Sequence, residues 1–164
     1  DIIMVGGKSD SISFTAAMSA ADTGHLVLST LHTINASQSV NRILDFFPAD
    51  EREQIRRQLA GCLRSVICQR MVTTVNNTMT PALEILINTP IVKKMMEENR
   101  LEKLPAAIET GTEDGMITFN QSLFNLVKAG KVTEKEALAK ASNPQALEMN
   151  FKGIFLDEGR RILQ

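Results

Sequence analysis

The sequence predicts an α/β fold that begins with a strand–helix–strand unit and becomes helical towards its end. Two short apolar runs, residues 1–5 and 25–31, are typical of parallel strands buried on both faces. A helical pattern with apolar residues at 12, 14, 17, 18 and 21 lies between them. Strand, helix and strand within about 30 residues form a βαβ unit, for which we expect a right-handed crossover.

The remaining elements follow from caps, periodicity and turn residues. Asp10 or Ser11 caps the first helix, which Thr23-Gly24 ends. A second helix is predicted from Asn35 to Phe47. Asp50 with Glu53 resembles a capping box, and it opens a helix whose apolar positions continue to residue 67. Residues 71–75 and 82–87 flank the turn-like pair 76–77, which indicates a β-hairpin.

From residue 89 onward the residue pattern is typical of helices, so we predict two domains, residues 1–88 and residues 89–164. Thr89-Pro90 opens a helix because proline fits the first helical position. A loop is predicted at 111–115, and a helix from Thr118 to near Gly130. Thr133 with Glu136 caps the next helix, which Asn143-Pro144 stops, and the tail to residue 164 is expected to be helical.

Composition narrows the class of protein. The chain has 164 residues, is 43% apolar and 23% charged, and has a net charge of −1. This balance is globular and disfavours a chain-wide attraction to nucleic acid. No apolar run approaches the roughly 20 residues of a membrane-spanning helix. The two cysteines predict a reduced, cytoplasmic setting. Because the chain starts at Asp1 inside a strand pattern, we expect a piece of a longer protein.

One local motif resembles part of a phosphate-binding loop but lacks the length that phosphate binding requires. Gly6-Gly7-Lys8-Ser9 after a strand is similar to the end of a P-loop. The full pattern requires a glycine where this chain has Ile2, so the loop is too short to surround phosphates. A polar strand-to-helix turn is the favoured interpretation.

The two histidines are better candidates for a site. His25 opens the second strand, and His32 with Thr33 follows its carboxyl end, where ligands bind in open α/β sheets. A metal site is disfavoured, because the histidines lie at opposite ends of the strand and the cysteines belong to another element. Spacing alone leaves open the alternative that both histidines are bonded into loop backbone.

Other side-chain groups give weaker signals. No Gly-x-Ser-x-Gly elbow is present, so no Ser-His-Asp site is predicted. The acidic residues at 50, 51 and 53 are typical of a helix start. Five arginines form a basic cluster. The favoured interpretation is the solvated face of an amphipathic helix, and the alternative is a contact with another subunit or with a phosphate. They are Arg52, Arg56, Arg57, Arg64 and Arg70.

The segment 23–33, TGHLVLSTLHT, resembles the His box of the type II/type IV secretion ATPases, most nearly the PilT family of type IV pilus retraction ATPases. Residues 1–6 resemble the Walker B strand, and Asp10 matches the aspartate that closes that motif. Segments 20–25, 42–48, 84–90, 107–111 and 115–116 extend the resemblance over essentially the whole chain. It implies a partial RecA-like P-loop NTPase core, comprising the Walker B and His-box half, followed by a helical C-terminal region.

The resemblance also implies a function. The family's ATPases are ring oligomers, usually hexamers, that drive pilus retraction and twitching motility at the cytoplasmic face of the inner membrane. The implied partners are other subunits of the ring or an active paralogue, and the pilus platform protein, with no nucleic acid. ATP and Mg²⁺ are expected in the complete protein and neither for this chain alone. The implied nucleotide-binding or sensing residues are Gly6, Asp10, Gly24, His25, His32 and Thr33, and no metal site is implied. The absence of a CxxC module favours the retraction branch.

Two departures from the family pattern bear on activity. The Walker A loop is expected upstream of this region, so the chain alone should bind ATP poorly and be inactive. The family's Walker B glutamate, its catalytic residue, is replaced by Gly7, and the following arginine position holds Ser9. One hypothesis is therefore a motor ATPase that needs its missing half. The other is a non-hydrolysing ring subunit or interaction protein.

Overall fold

The computed structural model describes residues 1–6 and 10–155. Its strands are β1 (Ile2–Val5), β2 (Leu26–Ser29), β3 (Ser65–Thr73) and β4 (Met79–Ile87). Its helices are α1 (Ser11–Asp22), α2 (Ala36–Asp45), α3 (Arg52–Cys62), α4 (Pro90–Glu97), α5 (Leu104–Thr110), α6 (Phe119–Lys128), α7 (Glu134–Lys140) and α8 (Pro144–Phe151). Short 3-10 turns lie at Leu101–Lys103 and Thr112–Asp114. The predicted α/β fold is confirmed.

The chain forms two compact units. The first comprises Asp1–Ser65 with Asn88–Leu104, and the second comprises Val66–Ile87 with the described residues from Pro105 onward. The hairpin of β3 and β4 thus belongs with the C-terminal helices, whereas the predicted domain boundary places it with residues 1–88. The division into domains after residue 88 stays a prediction.

The first unit begins with the expected βαβ arrangement. β1 and β2 are parallel, with Ile2 opposite Leu26 and Val5 opposite Ser29. Asp10 is the N-cap of α1, and its Oδ1 accepts a hydrogen bond from the Ser13 amide at 2.8 Å. This short-range bond satisfies one of the free amides at the helix start, which is why the helix begins where the sequence predicts.

The predicted burial of both strands on both faces is wrong for this structure. Ile2 and Met4, which share one face of β1, are 70% and 72% exposed. Leu26 and Leu28, which lie opposite them on β2, are each 49% exposed. The apolar sequence is compatible with burial, but burial requires an element that packs over the face, and the described residues place none there.

The core of the first unit lies among its helices. The fully or nearly fully buried side chains include Val40, Ile43, Leu44, Leu59, Ala60, Val92 and Met96. Asn88 ties this core to the end of α3, because its Nδ2 donates to the carbonyl oxygens of Ala60 at 2.9 Å and Leu63 at 2.8 Å. The Ala60 carbonyl belongs to the last turn of α3, where carbonyl oxygens lack a partner within the helix, and Leu63 directly follows that turn.

The helix predicted to run on to residue 67 is shorter in the structure. α3 ends at Cys62, Leu63 is extended with ψ 137°, and Val66 and Ile67 lie on β3. The predicted capping box of Asp50 and Glu53 is also wrong, since Glu51 is the N-cap and makes no side-chain capping bond. Pairing of β3 with β4, the next strand along the chain, overrides the helical periodicity.

The second unit contains the β3–β4 hairpin and the helices from α5 to α8. The hairpin is confirmed, although its strands are longer than predicted, and Asn77 in the turn adopts a left-handed φ of 57°. Thr118 and Gln121 form a reciprocal capping box at the start of α6. Asn143 caps α8, while α7 already ends at Lys140. α8 ends at Phe151, and the predicted helical tail from 156 lies outside the described residues.

The helices described here are too short or too polar to cross a bilayer.

Candidate functional site

The carboxyl ends of β1 and β2 form one edge of the parallel pair. Gly6 follows β1 and the loop 30–35 follows β2, so both leave the strands at this edge. Asp10 begins α1 on the same connection. The catalytic position assigned to Gly7 lies outside the described residues, together with Lys8 and Ser9. The structure therefore brings together the connections that carry Gly6, Asp10, His32 and Thr33.

The loop after β2 is bonded to the first turn of α2. The Thr33 Oγ1 lies 2.6 Å from the Ser39 Oγ, which in turn donates to the Asn35 carbonyl at 2.9 Å. Asn35 is the N-cap of α2, and its Oδ1 accepts from the Gln38 amide at 2.8 Å. These bonds hold Thr33 half-buried, while the neighbouring His32 side chain is exposed.

An open, polar pocket of about 270 Å³ lies beside this loop. It is lined by His32, Thr33, Gln38, Asn41, Arg42 and Asp45. The Arg42 guanidinium lies 5.2 Å from the centre of the Phe46 ring, and the Asp45 carboxylate pairs with Arg52 at 3.4 Å. The pocket thus carries a cation, an imidazole, neutral hydrogen-bonding groups and the Asp45 carboxylate, which is paired with Arg52. Arg42, His32 and the neutral groups can donate hydrogen bonds to an anionic polar ligand.

Sequence reasoning missed the four pocket residues contributed by α2. They lie at positions 38, 41, 42 and 45, a spacing that places side chains on one helix face. The signal was available, but a polar helix face next to a predicted binding loop is indistinguishable from a solvated surface until the loop is placed.

Gly24 and His25 lie at the opposite edge of the strand pair. They precede β2, and Gly24 has φ 92°, a backbone conformation that favours glycine. The half-buried His25 ring places its Nδ1 3.2 Å from the Ala20 carbonyl oxygen and 3.2 Å from the Thr23 Oγ1. The structure therefore separates the candidate residues into two groups, and their contacts with nucleotide stay predictions.

The described residues do not form a complete metal site. Within residues 1–6 and 10–155 no three His, Cys, Asp or Glu side chains cluster as metal ligands. Mg²⁺ is usually held by one or two carboxylates together with phosphate oxygens and water. Asp10 offers one carboxylate at the edge, and that group also caps α1.

The arginine cluster does not form a single surface. Arg57 pairs with Glu53 on the exposed face of α3, as the favoured interpretation predicts. Arg56 instead donates from Nε to the Met96 carbonyl at 2.8 Å. Arg70 lies on β3, so its placement on a helix face is wrong. Burial lowers the pKa of Arg70, and the nearby charge of Glu84 opposes that shift.

Comparisons with known proteins agree with this architecture. The family model described as "Type II/IV secretion system protein" matches residues 1–152. YggR of Escherichia coli K12, an uncharacterized protein, is 44% identical over 132 residues, which is 80% of this chain and 40% of YggR. The type IV pilus retraction ATPase PilT of Pseudomonas aeruginosa PAO1 is 37% identical over 145 residues, or 88% of this chain and 42% of PilT.

The solved structures give the same result. The crystal structure of the pilus retraction motor PilT with bound ADP superposes with a TM-score of 0.78 at 34% identity. It covers 90% of this chain and 41% of the PilT chain. The chain thus spans about two fifths of the length of the relatives that it matches. A family match over nearly the whole chain, with the PilT fold, establishes that this chain belongs to the type II/IV secretion system proteins, among the PilT-family ATPases.

Proposed function

We propose that the chain is part of an ATP-hydrolysing motor that drives type IV pilus retraction and twitching motility. The observation that carries this proposal is the common sheet edge reached by the connections after β1 and β2, which bear Gly6, Asp10, His32 and Thr33. Ligands in α/β sheets bind at the carboxyl ends of the strands. The name of the Pseudomonas relative, a pilus retraction ATPase, supports the substrate class.

The residues at this edge would contribute position and charge. Catalysis of phosphoryl transfer depends mainly on orienting the nucleotide and stabilising negative charge. The exposed His32 and the neighbouring Arg42 line the polar pocket and offer donors to phosphate oxygens. Asp10 anchors the start of α1 by accepting the Ser13 amide. ATP with Mg²⁺ is proposed as the substrate complex, and the phosphate-cradling loop is expected elsewhere in the complete protein.

Gly7 supports a second candidate function, a non-hydrolysing ring subunit. A glycine has no side chain that could activate the attacking water in place of the family's glutamate. General-base catalysis contributes about 10²–10⁴-fold to rate. A ring that contains this chain would then depend on an active paralogue for hydrolysis.

ATP turnover by the complete protein tests both candidates. Three forms are compared: the protein with Gly7, a variant lacking the P-loop lysine, and Gly7→Glu. The motor proposal expects turnover with Gly7 above that of the P-loop variant, and a rise of about 10²–10⁴-fold for Gly7→Glu. Turnover equal to the P-loop variant, with no rise for Gly7→Glu, would refute the motor and support the passive subunit.

The proposed assembly is a ring of copies of the complete protein, taken to be a hexamer. It acts in the cytoplasm at the inner membrane, on the pilus platform protein. Sedimentation of the complete protein with a non-hydrolysable ATP analogue measures the ring directly. A monomer at all nucleotide concentrations would contradict this part of the proposal.

A further inference from the structure

The polar pocket beside α2 is lined by side chains whose hydrogen-bond donors have no hydrogen-bond partner within residues 1–6 and 10–155. These side chains are His32, Gln38, Asn41 and Arg42, and the unused donor of Gln38 is its Nε2. The carboxylate that also lines the pocket, that of Asp45, is paired with Arg52 at 3.4 Å. The pocket therefore presents more free donors than free acceptors, which favours an anionic ligand over a cation.

The loop after β2 fixes the orientation of the Gln38 amide. The Ile34 backbone N–H donates to the Gln38 Oε1 at 2.9 Å. A backbone N–H is always a donor, so the oxygen of the amide must face the loop and Nε2 must face away from it. Because this bond exists without any ligand, Gln38 Nε2 is a donor whose orientation is set in advance, which reduces the entropy that a ligand must overcome.

An aromatic stack holds the Arg42 side chain. The Arg42 guanidinium lies over the Phe46 ring, 5.2 Å from its centre. The Phe46 ring stacks in turn on Phe14 of α1, with ring centres 5.4 Å apart and an interplanar angle of 17°. A guanidinium that lies over a ring uses its face for the contact, while its N–H groups point outward in its own plane. Arg42 is therefore held in place with its hydrogen-bond donors still available.

Gln38 and Arg42 lie four residues apart on α2, so their side chains are neighbours on one helix face. An amide N–H and a guanidinium at this spacing can donate to the same phosphate group, whose oxygens accept several charge-assisted hydrogen bonds. We propose that Gln38 and Arg42 form an anion-binding pair for a phosphate group of the nucleotide, and that Phe46 positions Arg42 for this contact. The choice of the nucleotide as the source of the phosphate rests on the proposed function.

Titration of the chain with inorganic tripolyphosphate tests the site without any need for ATP hydrolysis. Side-chain amide signals in ¹H–¹⁵N spectra report on Gln38 directly, and their loss in Gln38→Ala assigns them. We expect saturable shifts of the Gln38 Nε2 signals at low salt, which weaken as added salt screens the phosphate charge. Shifts at other residues without a response from Gln38 would overturn the proposal.

Gln38→Glu separates the donor from the loop contact. One carboxylate oxygen still accepts from the Ile34 amide, so the melting temperature should stay within about 1 °C. The other oxygen replaces Nε2 and repels an anion, so the affinity for tripolyphosphate should fall at least about tenfold. Arg57→Ala is the control, because it makes the same change of net charge on the exposed face of α3. Equal losses of affinity in both variants would reduce the effect to net charge and overturn the pair.

Two variants of Phe46 test its positioning role. Phe46→Leu removes the ring and should weaken tripolyphosphate binding by about two- to fivefold, whereas Phe46→Tyr keeps the ring and should bind as the unmodified chain does. An unchanged affinity in Phe46→Leu would overturn the positioning role. The unmodified chain supplies a second measurement, since the ring current of Phe46 should shift the Arg42 Nε–H proton signal upfield. An Arg42 signal at its random-coil position would also overturn that role.

The source of the phosphate is tested in the complete protein. We expect Gln38→Glu to raise the KM for ATP about tenfold, and Arg57→Ala to leave it unchanged. An unchanged KM in Gln38→Glu overturns the assignment to the nucleotide, and weaker ring formation by that variant would then identify a carboxylate of a second copy as the ligand. If the unmodified protein has no turnover, the proposed function fails, while the tripolyphosphate titration of the chain still decides whether the pair binds phosphate.

Discussion

Replacing Arg70 by alanine should destabilise the second unit more than any exposed arginine would. The Arg70 guanidinium lies 3.8 Å from the centre of the Phe119 ring. One of its terminal nitrogens donates to the Lys140 carbonyl and to the Ser142 hydroxyl, each at 2.9 Å. The side chain thus joins β3, α6 and the segment after α7.

The expected cost follows from these contacts. A hydrogen bond from a charged donor contributes about 1.5–3 kcal/mol, and a cation–π contact about 0.5–2 kcal/mol. Arg70 is half-buried, and water can replace part of what is lost, so the total falls below the simple sum. We expect Arg70→Ala to cost about 2–4 kcal/mol, which lowers the melting temperature by about 4–16 °C for a chain of this size.

Circular dichroism melting of the chain measures this effect, with Arg57→Ala as the matched control. Arg57 and Glu53 form an exposed ion pair at 2.7 Å on α3, a contact that contributes about 0.3–0.5 kcal/mol. The melting temperature of Arg70→Lys should fall between those of the two alanine variants. An ammonium group keeps the charge, but it does not stack on an aromatic ring or form the paired hydrogen bonds of a guanidinium. A melting temperature for Arg70→Ala equal to that of Arg57→Ala would refute the reasoning.

Three further outcomes are expected. In urea unfolding, Asn88→Asp should destabilise the chain more than Asn88→Ala, because the carboxylate would face two carbonyl oxygens. Alanine, by contrast, also removes a buried Oδ1 that has no partner among the residues that the structure describes; the reverse order of stabilities would contradict this. Gly61→Ala should raise the free energy of unfolding by up to about 1 kcal/mol, since Gly61 is helical with open space around it. Gly111→Ala should lower it, since the added Cβ would lie 2.9 Å from the Ala107 carbonyl oxygen. Equal melting temperatures for the two variants would contradict both expectations. Burial, with the Asp22 charge second, raises the pKa of the Cys62 thiol. The protonated Cys62 thiol therefore contributes stability that is fully present below the thiol pKa of the unfolded chain and is lost as pH rises through the thiol pKa of the folded chain. Alkylation of Cys62 at pH 8 should be faster in Asp22→Asn than in the unmodified chain. An unchanged alkylation rate would exclude the Asp22 contribution to the raised pKa.

Helix starts were the most predictable part of the fold. Asp10, Asn35, Thr89 and Thr118 were each expected at the beginning of a helix, and each caps one. A capping bond joins a side chain to an amide two or three residues away, so the information is local. The same local character made the hairpin turn near Asn77 recognisable.

The end of α3 was not predictable in this way. Leu59, Leu63, Val66 and Ile67 fit a helical repeat, but the burial of Cys68 and Val72 on β3 follows a strand repeat. Both periods are present in one apolar stretch. The choice is made by pairing of β3 with β4, which the spacing of apolar residues within this stretch does not indicate.

The candidate site was predictable to the level of strand ends. A histidine after an apolar strand was expected at the ligand-binding edge, and His32 follows the carboxyl end of β2. The α2 face that lines its pocket was not identified, because polar residues at positions 38, 41, 42 and 45 are equally typical of a solvated helix. Only the placement of the loop against α2 distinguishes the two.

The two histidines show why spacing could not assign roles. Sequence gives them equivalent positions at either end of one strand, yet they differ in what surrounds the ring. The half-buried His25 ring has the Ala20 carbonyl oxygen and the Thr23 Oγ1 each 3.2 Å from Nδ1, so it is held against the end of α1. The His32 ring makes no hydrogen bond within the described residues and borders the polar pocket, so either of its nitrogens can donate to an incoming anion. In the complete protein, His32→Asn should therefore raise the KM for ATP, whereas His25→Asn, at the opposite edge of the strand pair, should leave the KM unchanged. A KM effect from His25→Asn would mean that His25 contacts the nucleotide directly.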